Sequence, residues 1–73
     1  MTPLQAYRKA YEIGKRLPEE LEDIIMTDSW LSYLYALNVI KGKLPEKMHN
    51  MMMLHAIKDP DLGWAEEYFE YIK

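Results

Sequence analysis

The chain has 73 residues, 12 acids against 9 bases for a net charge of −3, 49% hydrophobic residues and no cysteine. This rules out disulfides and thiolate zinc sites, fits a reducing compartment and argues against nonspecific nucleic-acid binding. One domain of this size gains only about 3–5 kcal/mol from its core, so oligomerisation is expected to help.

Thr2-Pro3 is an N-cap followed by a first-turn proline, and it opens an amphipathic helix over about residues 3–15. Leu4, Tyr7, Ala10, Tyr11 and Gly14 fall on one side, with Ala6 and Ile13 beside them; Gln5, Arg8, Lys9, Glu12, Lys15 and Arg16 form a solvated face. Leu17-Pro18-Glu19-Glu20 restarts a short helix, about Pro18 to Met26, with Leu21, Ile24 and Ile25 as its narrow apolar stripe. Its acids Glu19, Glu22 and Asp23 share a face. Lacking a histidine or a glycine-bearing calcium loop, they read as solvated.

Thr27-Asp28-Ser29 caps a central helix that should end at Lys41-Gly42, with glycine supplying the left-handed turn. Trp30, Tyr33, Leu37 and Ile40 make one stripe, Leu31, Leu34, Tyr35 and Val39 cover the rest, and only Ser32 and Asn38 interrupt. A helix apolar nearly all round is buried or lies at an interface. Leu44-Pro45-Glu46 begins a fourth helix to about Ile57. There Met48, Met51, Met52 and His55 share a face, while Met53, Leu54 and Ile57 lie elsewhere. Three consecutive methionines cannot all point inward from one side. Asp59-Pro60-Asp61 caps a fifth helix starting at Pro60 or Leu62, with Trp64, Ala65, Tyr68, Phe69, Tyr71 and Ile72 opposite Glu66, Glu67 and Glu70.

Leu17-Pro18-Glu19 recurs 27 residues later as Leu44-Pro45-Glu46, and Tyr7, Ala10 and Ile13 lie over Tyr33, Ala36 and Val39 with one insertion. The expected fold is all-α: five short helices arranged as two helix-hairpin repeats, about 3–26 and 28–57, and a capping helix over about 60–72, in a compact solenoid or bundle. Tyr35-Ala36, Val39-Ile40-Lys41-Gly42-Lys43, Leu44-Pro45-Glu46, Ala56-Ile57 and Asp59-Pro60 resemble a degenerate helical repeat of tailed-bacteriophage and some bacterial proteins. Where that repeat usually carries acids, this chain has Met48 to Met53. The resemblance implies a phage-type origin and a helical array, and it carries no catalytic residue across.

Enzymatic chemistry is not expected. His49 and His55 stand about 240° apart round a helix and cannot share a metal, and neither a glycine-rich phosphate loop nor a nucleophile triad is present. Five short helices leave little room for a pocket of the ~300–1,000 Å³ that small ligands use. No cofactor or metal is expected. Helix-turn-helix binding of DNA could draw on Lys41, Lys43, Lys47, His49 and Asn50, but the fourth helix presents methionines where a recognition helix presents polar side chains. With no apolar run of about 18 residues and no signal peptide, a soluble cytoplasmic protein without a membrane partner is expected.

The remaining reading is a non-enzymatic protein-interaction module, with Met51, Met52, Met53, His49, Tyr35, Glu66, Glu67 and Glu70 as its partner-binding residues. The partner is a host protein that the chain modulates or inhibits, or a second copy in a structural homo-oligomer.

Overall fold

Helix starts in the computed structural model, which describes residues 1–58 and 63–73, fall at the prolines and capping residues of the chain. Helix α1 spans Pro3–Ile13: Thr2 Oγ1 accepts from the Gln5 N–H at 3.2 Å, and Gln5 Oε1 accepts from the Thr2 N–H at 2.9 Å. This reciprocal capping box satisfies two otherwise orphaned donors. Gly14 ends the helix at φ 72°, where an L side chain would be strained. Helix α2 is Glu19–Ile25, and α3 is Ser29–Tyr35, capped by Asp28 accepting from the Leu31 N–H at 3.0 Å.

Without a break, α3 widens into a π-helical turn over Ala36–Ile40, whose Ala36 carbonyl accepts from both Lys41 N–H (2.7 Å) and Gly42 N–H (3.2 Å). Helix α4 is Glu46–Lys58 and α5 is Trp64–Tyr71. The fold is all-α, with no strand among the described residues. The starts at Pro60 or Leu62 and the Asp59-Pro60-Asp61 cap lie outside the described residues.

Helix α3 is the hub, packing against α1, α4 and α5, while α1 also rests on α2 and α4 on α5. Its inward face is Leu31, Ser32, Tyr35, Ala36 and Val39, so Trp30 is left out on the rim rather than in the stripe expected of it. Buried Ser32 donates from Oγ to the Ile25 carbonyl at 3.2 Å, tying α3 to the end of α2. Helix α1 buries the two alanines Ala6 and Ala10, and leaves Leu4, Tyr11 and Ile13 exposed. Small side chains let helix axes approach closely, and the larger residues splay to the rim.

Both leucine-proline turns are pinned in the same way. The Tyr35 hydroxyl, from α3, accepts from the Leu17 N–H at 2.9 Å, and the Tyr68 hydroxyl, from α5, accepts from the Leu44 N–H at 3.0 Å. Five residues past each leucine, at Glu22 and His49, stands a second partner for the same hydroxyl. The basic residue before each leucine, Arg16 or Lys43, acts on that second partner. Arg16 holds Glu22 in an ion pair, whereas Lys43 disfavours a proton on His49.

Candidate docking surface

The first pin contains an ion pair. Tyr35 Oη donates to Glu22 Oε2 at 2.6 Å, and Arg16 grips the same carboxylate through Nε at 2.8 Å and Nη2 at 3.1 Å. Glu22 is buried, contrary to its expected place on a solvated acidic face. A buried carboxylate persists only with several donors, and this one has three. Its hydrogen bond to Arg16 raises the guanidinium above its ordinary range, while burial, then the bond to Glu22, push up the Tyr35 phenol.

Beside this pin an open cleft of about 410 Å³ runs between α2 and the start of α4, lined by Arg16, Glu19, Asp23, Glu46, Lys47 and Asn50 among others. It is roomier than the helix lengths suggested, and its two bases are paired with three of its acids. Lys47 Nζ lies 2.9 Å from Asp23 Oδ1 and 3.5 Å from Glu19 Oε1, and Arg16 is committed to Glu22. The bond to Asp23 raises the Lys47 ammonium. These partly exposed Lys47 pairs bridge α2 and α4. No group of three or more metal-ligating side chains occurs among the described residues.

In the second pin, Nδ1 of the half-buried His49 lies 2.8 Å from Tyr68 Oη and, in the neutral tautomer protonated at Nε2, accepts a hydrogen bond from the phenol. Burial, then Lys43, hold His49 below its ordinary value, so the fold favours that neutral ring; burial raises Tyr68. The ring also meets Phe69 edge-on at 5.3 Å. His55 turns the other way, donating from Nε2 to the Met26 carbonyl at 3.1 Å.

Of the eight residues expected to meet a partner, Tyr35 and Met52 are corrected: both are fully buried, one spent on the Leu17 turn and the other in the core with Met48. Met51 and His49 are half-buried. Met53 is 48% exposed and continues along the outer side of α4 into Leu54 (47%) and Ile57 (75%), two residues not counted for the site. Glu66, Glu67 and Glu70 stand exposed on α5. The missed signal for Met52 is the repeat itself. Shifting by 27 residues places Met52 over Ile25, an apolar-stripe residue that is also fully buried.

A second uncovered patch brings Trp30 together with Tyr33 and Trp64, two aromatics expected to aid recognition wherever they emerge from the core. Trp64 at the start of α5 sits 6.2 Å, ring to ring, from Trp30 and from Tyr33, and the indoles of Trp30 and Trp64 remain 45% and 38% exposed. No helix among the described residues is long and apolar enough to cross a membrane. Against protein families, curated proteins and solved structures, the chain finds no match.

Proposed function

We propose that the chain is a small non-enzymatic protein-interaction module that docks a partner on the outer side of α4. The observation that carries this reading is the row Met53, Leu54 and Ile57, three large apolar side chains left in water on one helix whose opposite side is sealed. An adaptable thioether beside branched aliphatics is a common composition for a recognition surface. The repeat resemblance supports a phage-encoded modulator of a host protein as the biological setting. A structural homo-oligomer is the second reading, because the same row on a second copy would bury both.

A photocrosslinking residue placed at position 57 in bacterial cells tests this. One discrete heavier adduct, absent when the probe stands at exposed Glu20, is the expected result. An adduct of twice the chain's mass would select the homo-oligomer. No position-dependent adduct would contradict both readings.

A further inference from the structure

The chain has no cysteine, so its six methionines carry all of its sulfur. Three of them are consecutive on α4, and each step of about 100° round the helix changes their setting. Met51 is half-buried, Met52 fully buried and Met53 exposed. Met48, one turn before Met52, is buried as well, and Met26 is half-buried. Apart from the N-terminal Met1, Met53 is therefore the one exposed methionine, and it stands in the apolar row with Leu54 and Ile57. It belongs neither to the buried core nor to the side chains packed against that core.

A thioether is a soft nucleophile, which a peroxide reaches fastest where the side chain meets solvent. The sulfur lone pair attacks one peroxide oxygen, the O–O bond breaks and that oxygen stays on sulfur. The thioether is oxidised to the sulfoxide, and hydrogen peroxide is reduced to water. The product is polar where the parent was apolar, so covering it with an apolar partner strips a strong dipole of its water. We infer that Met53 is a redox modification site: peroxide converts it to the sulfoxide while Met48 and Met52 stay protected, and the oxidised chain keeps its fold but releases its partner. This rests on the docking reading of the outer side of α4 and adds a chemical control to it. A sulfoxide reductase supplied with a dithiol reverses the step, the oxygen leaving as water and the dithiol as a disulfide.

The test treats the purified chain, carrying the photocrosslinking residue at position 57, with dilute hydrogen peroxide. After removal of the peroxide, oxidised sites are read by peptide mass spectrometry, and the chain is irradiated in a bacterial lysate. Met53 should gain one oxygen at least about tenfold faster than Met48 and Met52, and the oxidised chain should melt within a few degrees of the parent. Its adduct should fall at least about fivefold and return after treatment with sulfoxide reductase and dithiol. Met53→Leu keeps the row apolar and lacks the sulfur, so its adduct should survive the same peroxide treatment although Met1 is exposed in both chains. Four results would each overturn the assignment: Met53 oxidising no faster than Met48 and Met52, an oxidised chain that unfolds, one that keeps its adduct, or an equal loss in Met53→Leu. An untreated chain that yields no adduct would remove the docking reading and the switch with it. An adduct that forms and is indifferent to oxidation removes the switch alone.

Discussion

At the scale of single residues, the fold depends on two phenol hydroxyls. Tyr35→Phe deletes the group that serves both the Leu17 N–H and Glu22, leaving a buried donor unpaired and a buried carboxylate with one donor fewer. The expected cost is about 1–3 kcal/mol. For a domain this small that is a fall in Tm of roughly 4–8 °C per kcal/mol. Tyr11→Phe, on the exposed side of α1, should change stability by less than about 0.5 kcal/mol in the same thermal melt. Equal losses would remove the pin from the description.

The second pin adds a pH dependence. Because the fold holds His49 below its ordinary value of 6.5, its contribution to stability is complete above about pH 6.5 and is lost as acidification carries the ring through its folded value. Urea midpoints should therefore drop between about pH 7 and pH 5, and His49→Gln should flatten that part of the profile. The glutamine carbonyl can accept from Tyr68 at either pH. A profile unchanged by the substitution would assign the acid loss elsewhere.

At the scale of elements, the sequence announced five helices and most of their ends, because caps and prolines act locally. Thr2 and Asp28 cap as expected, whereas Gly14, read as part of the apolar side of a helix reaching about residue 15, instead ends α1 after Ile13 in a left-handed turn, and Gln5, read as solvated, completes the cap of Thr2. What it did not disclose is which side of a helix faces in. Helix α1 buries alanines and shows its larger side chains to water, and α3 turns Trp30 outward, because the inward face is chosen by how closely neighbours approach and not by the summed apolarity of a stripe. Glu22 was misplaced for a related reason. Nothing within α2 tells that Arg16 and Tyr35 converge on it from outside that helix.

The end of the central helix differs by one residue from expectation, and with a consequence. The left-handed turn falls on Lys41, at φ 60°, not on Gly42, because the π-helical turn takes up the extra residue. A lysine there pays a conformational penalty that glycine avoids. Lys41→Gly should therefore stabilise the chain by about 1 kcal/mol, read as a higher urea midpoint with an unchanged slope. A lower midpoint would mean that the lysine side chain supports the turn.

At the scale of the whole molecule, the accessible surface is 4785 Å², against about 4,700 Å² expected from the mass of a well-folded monomer. The exposed apolar side chains are therefore not the mark of a loosely closed fold. They sit on a molecule that has buried an ordinary share of its surface, with Met48 and Met52 inside and Met53, Leu54 and Ile57 outside the same helix. That division across one helix is the physical basis for a docking face.

The division can be measured directly by pairing Met52→Ala with Met53→Lys, each followed by thermal unfolding and by crosslinking from position 57. Met52→Ala should cost about 2–5 kcal/mol and melt most or all of the chain, since it empties a filled core position. Met53→Lys should melt within a few degrees of the parent, on the order of 0.5 kcal/mol, yet lose the crosslinked species. A Met53→Lys chain that keeps its adduct in full, or one that unfolds as Met52→Ala does, would contradict the proposal that the outer side of α4 is where a partner binds.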